Sequence, residues 1–443
     1  MARKVGVFKR GALLVFDVLV VGGGVAGLSV GALLSRNGVK NLVVERASIL
    51  GGRGKCFEYK KGYVVDYGIH ALRMADDGAA ASIFKRLGEK LEIVEPKESS
   101  LYHEGTWSEL PLNLNAIMSS PLFSRDNVNE LLGALGGLLN ASPSEYWDEP
   151  LSRWVGKKLR SDKLRWFVKE VLAKLLLIAA DADETSTGEF FDIVQAFVKS
   201  GKGAGFAIGG WRSIIRRLAE IVEENGQVRV KAKAEKILVK DGRVEGAIVN
   251  GEKIDVNTVV VAIPVQGLFS LVEERWFSEG FTKKAKSMKP TMGFSIDYGL
   301  TAKACEYDTF MCPDPWIYGA ATSNMDASVA PQGEQLLTVF SVSTPNIVFN
   351  KELAKMELER IEKKLEEMFP KIRGSVRWKR PLILSMVDGA ALTVTQSQDK
   401  RPSPETDVKG LYLAGDTCNG RGAGGDIAFN SASNCVDIVL RSI

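Results

Sequence analysis

The chain has 443 residues, a length for about three domains of roughly 150 residues or two large ones. Its 58 Lys and Arg against 54 Asp and Glu leave a net charge of +4, too little for a general field that wraps nucleic acid, so no nucleic-acid partner is expected. Apolar residues at 45% and charged residues at 25% exclude a wholly disordered, collagen-like or coiled-coil chain. Five cysteines without a CxxC pair argue against a secreted disulfide scaffold and for a reducing cytoplasm. With only His70 and His103 as histidines, no zinc or haem site, and no metal, is expected.

The N-terminus, MARKVGVFKRGALLVFDVLVVGGG, runs from basic to apolar. Asp17 interrupts the apolar run, glycines end it and no small-residue cleavage site follows, so it is not read as a signal peptide. No uncharged apolar stretch reaches the roughly 18 residues of a membrane span; VLAKLLLIAA (171–180) is short and carries Lys174. FDVLVV (16–21) reads as a buried parallel strand, VAGLSVGALLSR (25–36) as a helix stopped at Asn37-Gly38, and NLVVE (41–45) as a second strand. Together they make a βαβ unit.

Residues 111–200 read as a helical region. Within it Lys157, Lys158, Arg160, Lys163, Arg165 and Lys169 interleave with Trp154, Trp166 and Phe167. This pattern has two readings: a membrane-surface helix suited to a lipid-dissolved substrate, or a solvated face over a core. Residues 227–264 alternate like strands, with Asp-Gly and Asn-Gly hairpin turns before a buried strand. FSIDYGL (294–300) and LLTVFSV (336–342) are further strand-like runs, 350–368 is an amphipathic helix rich in Glu/Lys pairs, and GLYLAGD (410–416) is a strand before a terminal helix.

Gly22, Gly24 and Gly27 form G-x-G-x-x-G between the first strand and helix. There Gly22 permits a tight turn, Gly24 lets a pyrophosphate approach the backbone, and Gly27 lets the helix pack on the strand. The free N–H groups at the helix start would face the phosphates. Glu45, ending the second strand, can accept hydrogen bonds from ribose hydroxyls and disfavours a 2′-phosphate, so the site is not built for NADP.

GGRGKC (51–56) and GYVVDYGIH (62–70) follow. With them the sequence resembles the superfamily of flavin-dependent amine oxidases, protoporphyrinogen oxidases and phytoene desaturases. Gly51, Gly52 and Arg53 match its Gly-Gly-Arg, and Asp66, Gly68 and His70 match its Asp-x-Gly-x-His-like turn. GGWRSIIRRLAEIVEENGQVRV (209–230) resembles its helix leading into the second pair of flavin-domain strands, and residues 410–440 its C-terminal flavin motif. The resemblance implies an α/β fold. A Rossmann-type, doubly wound, discontinuous FAD-binding domain would comprise residues 1–95, 203–285 and 382–443. An inserted α+β substrate domain with a mixed sheet and a helical part would comprise 96–202 and 286–381.

The cofactor implied is non-covalent FAD, since Cys418 lies beside the expected phosphate-side Asp416. Expected contacts are Gly22, Gly24, Ala26, Gly27, Glu45, Arg46, Gly52, Arg53, Gly68, Ile69, His70, Ala234, Gly415, Asp416, Gly425, Asp426 and Ile427. Arg53 would donate a charge-assisted bond to a phosphate. Asp416 would meet the ribityl chain or a phosphate. Gly424 to Ile427 would begin a helix facing the flavin pyrimidine.

Catalytic residues are not identified by sequence; His70 and Arg73 are the candidates, each with a bland alternative as a backbone-bonded turn residue or a surface or phosphate contact. Trp316, Tyr318 and Tyr298 would wall a ring pocket or belong to the core. The lysine that amine oxidases of this superfamily carry is absent from the matching stretch, where Ile296 or Asp297 stands. The resemblance therefore implies, first, removal of hydride from C–H bonds of a small apolar molecule, an isoprenoid or polyene lipid, as in phytoene desaturation. Protoporphyrinogen-type ring oxidation and amine oxidation are the alternatives, and an isoprenoid-binding carrier without flavin is the non-enzymatic one. Oxygen, a quinone or another diffusible carrier would take the electrons, because no second glycine fingerprint serves a nicotinamide cofactor. The expected location is the cytoplasm, with the peripheral-membrane reading left open.

Overall fold

Five short apolar runs form the central sheet. The computed structural model describes residues 16–443, so the basic and apolar stretch before Phe16 lies outside it. Strand β1 (Val18–Val21) pairs in parallel with β2 (Asn41–Glu45) on one side and with Thr258–Val261 on the other. Leu411–Leu413 and Gln227–Val230 complete the edges, all parallel. A parallel sheet is covered on both faces, which is why VLVV and TVVV are apolar without alternation. The two-residue period of a strand then splits β1 between two cores: Val18 and Val20 face one, Leu19 and Val21 the other. Each such buried Val or Leu contributes about 1.5–3 kcal/mol.

The first core lies under helices. Helix α1 (Val25–Arg36) is buried from Ala26 to Ser35, held between the Trp211–Asn225 helix and the terminal helix, Gly425–Ser442. Asn37 and Gly38 stop α1 as expected, with Gly38 at φ +77°. The opposite core is closed by an antiparallel sheet of three strands, Ala234–Lys240, Arg243–Val249 and Glu252–Ile254. Its turns are the Asp241-Gly242 and Asn250-Gly251 pairs, all four residues at positive φ, as a two-residue type I′ hairpin requires.

A seven-stranded mixed sheet forms the second layer system, ordered Val376–Leu384, Met292–Leu300, Gln335–Ser343, Trp316–Ala320, Thr309–Pro313, Ser99–His103 and Thr106–Glu109. The Val376–Leu384 strand runs to Leu384, past the boundary expected at 381/382. One face packs Phe294, Ile296 and Tyr298 against Ile361 and Leu365 of the Lys351–Met368 helix. The other packs Met311, Trp316 and Phe340 against the helical region.

That region corrects the membrane-surface reading of residues 154–169. Trp154 and Phe167 are buried, while Lys157, Lys158, Arg160 and Lys163 point to solvent. Trp166 stacks on His103 at 4.8 Å. The cations are the outer side of helices whose aromatics fill a core, so this segment presents no apolar face to a membrane.

The Thr187–Ser200 helix is tied to the C-terminal third by a fully buried ion pair, Arg401 to Glu189 at 3.0 Å. The Glu189 carboxylate also accepts from the Gln398 backbone N–H and side-chain amide. Arg401 donates further to the carbonyls of Gln396, Cys418 and Gly420. Removing one partner strands the other charge, whereas replacing both with apolar groups does not. Glu189→Ala is therefore expected to lower the unfolding free energy by about 3–5 kcal/mol, and Glu189→Met with Arg401→Met by much less, as read from denaturant unfolding. Equal losses in both variants would show the pair to be no more than packing volume.

Candidate functional site

One cavity of about 2390 Å³ runs from the glycine turn after β1, past the C-terminal motif, into the helical region. Its wall begins at Gly22, whose φ of +113° turns the chain from strand to helix. A Cβ on Gly27 would sit 1.9 Å from the Gly22 carbonyl oxygen, so Gly27 is what lets α1 start on top of the turn. Gly27 is thus buried beneath the wall rather than part of it. At Gly24 the nearest atoms to an added Cβ are 3.9 Å away, across the cavity edge at Gly51 and Gly52. Gly24 caps the helix with no side chain bonded to its first N–H groups. Those donors and that open edge fit a diphosphate.

Glu45 takes the end of β2 onto the wall beside Arg46. Its carboxylate accepts from the Gly23 N–H at 2.9 Å and the Ala47 N–H at 2.8 Å, which fixes its direction while leaving lone pairs for hydroxyl donors. Ala26, Gly52, Gly68, Ile69, His70 and Ala234 also reach the wall. Ile427 does not: it is wholly buried in the core behind the terminal helix, because the inward face of that helix needs an apolar residue there.

Arg53 departs from the expected role of a free phosphate donor. Its two terminal nitrogens each lie 2.6 Å from an oxygen of Asp416, in a bidentate pair, and Nη1 also donates to the Val387 carbonyl. Asp416 takes a further bond from the Gly389 N–H at 2.6 Å. Burial opposes the charge on Arg53, but Asp416 and then Asp388 hold its pKa above the ordinary arginine value. The physical reason is proximity in a low-dielectric wall, where the planar fork and the carboxylate satisfy each other. Residues 363 positions apart are thereby joined.

Arg73 is similarly occupied. It donates to the carbonyls of Ala423 and Leu176 and lies 3.4 Å from Asp426. Burial raises the pKa of Asp426 against the pull of Arg73. His70 stacks on Trp211 at 4.7 Å, and its carbonyl accepts from the Trp211 indole N–H. Among the described residues its Nδ1 has no hydrogen-bond partner, and it lies 3.9 Å from Asp66. Gly415, Asp416, Gly425 and Asp426 line the wall where the terminal helix begins.

The same wall carries an apolar group, Leu135, Leu175, Leu176, Val194 and Phe197 with Tyr318, alongside polar residues such as Lys97, Glu98, Asn113 and Lys202. Trp316 and Tyr318 are wall residues, whereas Tyr298 belongs to the core under the Lys351–Met368 helix. Burial pushes the Tyr318 phenol up to about 12. Asp297, at the position considered for a lysine, is buried away from the wall and paired with Arg380 and Thr338. The sequence reading missed the apolar arm, because leucines at helical spacing signal a core equally well. It also missed Asp388, whose neighbours carry no recognisable pattern but which lies on the wall beside the Arg53–Asp416 pair.

A family model described as flavin containing amine oxidoreductase matches residues 25–440. Prolycopene isomerase from Daucus carota is 23% identical over 91% of this chain and 76% of its own length. The 15-cis-phytoene desaturase of Narcissus pseudonarcissus is also 23% identical, over 91% of this chain and 75% of its own. Among solved structures, an oxidoreductase from Methanosarcina mazei superposes with a TM-score of 0.82 at 22% identity, covering 95% of this chain and 99% of that one. The glycine cradle with its uncapped helix, the aimed carboxylate of Glu45 and the match along nearly the whole chain agree: the chain belongs to the flavin-containing amine oxidoreductase family and is an FAD-dependent oxidoreductase.

Proposed function

We propose that this protein removes hydride from C–H bonds of an apolar isoprenoid or polyene lipid, in the manner of phytoene desaturation. The observation that carries the reading is the continuity of one cavity from the glycine cradle into an arm walled by Leu135, Leu175, Val194 and Phe197. Such walls reward an extended apolar molecule and offer few partners to a charged one. The likeness to proteins named prolycopene isomerase and phytoene desaturase supports the same class of substrate.

Bound FAD supplies the hydride acceptor. The chain does the rest. The start of α1 holds the diphosphate, and Glu45 accepts from the ribose hydroxyls. Arg53 and Asp416 would brace the wall at the ribityl side, and the positive end of the terminal helix would face the pyrimidine edge. The aromatic and leucine walls orient the substrate and exclude water. The electrons leave to oxygen, a quinone or another diffusible carrier. Ring oxidation of a porphyrinogen is less well served, because Arg73 already gives bonds to Ala423, Leu176 and Asp426, which hold its guanidinium in place.

The mouth of the arm adds a membrane contact to the proposal. Leu112 and Leu114 line the cavity and are 47% and 54% exposed, and Met118 one turn further is 65% exposed. An apolar rim continuous with an apolar cavity lets a lipid pass from a bilayer surface without crossing water. Leu114→Ser with Met118→Ser is expected to reduce co-sedimentation with anionic phospholipid vesicles severalfold and leave flavin content unchanged. Equal sedimentation with both proteins would remove the membrane contact.

Anaerobic mixing with a polyene precursor is expected to bleach the flavin absorbance of the purified protein, and Val194→Asp in the arm to lower kcat/KM for it at least about tenfold, the scale of burying one unpaired charge. Bleaching by a porphyrinogen or an amine, and not by a polyene, would overturn the substrate class. Arg53→Met is expected to weaken FAD retention by about 10-fold or more, on the scale of about 1.5–3 kcal/mol for hydrogen bonds to a charged group, as read from flavin content after gel filtration at graded FAD. Full retention would show that the Arg53–Asp416 pair does not shape the cofactor wall.

A further inference from the structure

Three carboxylates and two guanidinium groups meet at the floor of the cavity: Asp388, Asp416 and Asp426 with Arg53 and Arg73. Asp416 is paired with Arg53 and Asp426 lies against Arg73. Asp388 is left over. Among the described residues its carboxyl forms no ion pair and accepts no hydrogen bond, although it lies on the cavity wall.

Its position is nonetheless built. The Asp388 N–H donates to the Thr291 hydroxyl at 2.9 Å, and its carbonyl accepts from the Thr291 N–H at 3.1 Å. The residue before it, Val387, gives its carbonyl to Arg53, and the residue after it, Gly389, gives its N–H to Asp416. The carboxyl is pressed against Gly424, the cap of the terminal helix, where a Cβ would stand 2.3 Å from Oδ1. Thus the backbone on both sides is clamped to the Arg53–Asp416 pair, and the side chain ends at the helix start that faces the pyrimidine edge of a bound flavin.

We propose that Asp388 is the proton-holding group of this floor, taking up one proton when the bound cofactor is reduced and releasing it on reoxidation. A hydride equivalent, two electrons with one proton, passes from the reductant to the cofactor and adds one negative charge to it; one solvent proton forms an O–H bond on the Asp388 carboxylate and returns to solvent when an acceptor removes the electrons. Burial, and then the charge of Asp416, pushes the Asp388 pKa up to about 6, with Asp426 adding to the rise and Arg73 and Arg53 opposing it. The anion is therefore the form in excess above about pH 6, and added negative charge beside it moves its pKa further up. Reduction then draws in a proton across the window from about pH 6 upward. This inference rests on the FAD assignment and not on the choice of substrate.

The test is the midpoint potential of the protein-bound flavin, measured with a chemical reductant and a reference dye between about pH 5.5 and 8.5, with no substrate added. Relative to Asp388→Asn, the wild-type potential is expected to fall more steeply above about pH 6 by one proton per electron pair. That is a tenfold change in the reduction equilibrium per pH unit, about 30 mV for a two-electron couple. Equal slopes in the two proteins would overturn the proposal. If Asp388→Asn loses its flavin, Asp388→Glu decides: the steep limb is expected to remain with its break moved to a different pH, and an unmoved break would overturn it. A wrong substrate class would leave all of these slopes unchanged.

Discussion

The pair between Arg53 and Asp416 is the contact on which the rest of the site depends, because the chain reaches the cofactor wall in pieces. One end of the pair comes from the turn after β2, the other from the loop after the last strand. Around it the same logic repeats. Arg73 holds the helical region to the start of the terminal helix through the Leu176 and Ala423 carbonyls, and Arg401 holds Glu189 to the loop before that helix. A discontinuous domain cannot rely on local hydrogen bonding to align its segments. Guanidinium groups can align them, since each has five donors in a fixed plane and so fixes direction as well as distance.

The same bonds explain why the wall has so little charge to spare. A guanidinium bonded to a carboxylate and two carbonyls is a positioning group. Net cationic attraction for the diphosphate then falls to backbone N–H groups at the start of α1, which carry partial charge without desolvation cost. In this wall, side chains such as Arg53 and Asp416 hold the backbone that forms the cradle.

This division decides what could be read from sequence. β1, α1 and β2, the two hairpin turns and the terminal helix are legible because each is specified by neighbours within a few residues: apolar runs, Asn-Gly, Asp-Gly, and glycines where a Cβ would collide with Gly22 or Ala262. The pairing of Arg53 with Asp416 is not legible, since nothing near either residue marks the other. Ile427 illustrates a different limit. A motif identifies the helix start, but only its packing shows which residue of that turn faces the cavity and which faces the core. The basic and aromatic stretch at 154–169 shows the same ambiguity in reverse: alternating cations and aromatics are compatible with a membrane face or a protein core, and the side on which the next layer lies decides.

Leu175 and Leu176 sit at this limit too. In a sequence they are core; in the fold they edge a void, and the void is what a catalytic arm requires. An apolar arm that ends on a charged floor also changes the electrostatics of that floor. Low-dielectric walls screen the five ionisable groups weakly, so each unit of charge that arrives or leaves is felt by its neighbours. Asp416 is held by Arg53 at 2.6 Å, and Asp426 lies 3.4 Å from Arg73. Asp388 has no ion-pair partner among the described residues, and its carboxyl lies against Gly424 at the start of the terminal helix. In the proposed reading the apolar walls meet the substrate and the unpaired acid balances its oxidation, and both lie in one continuous cavity.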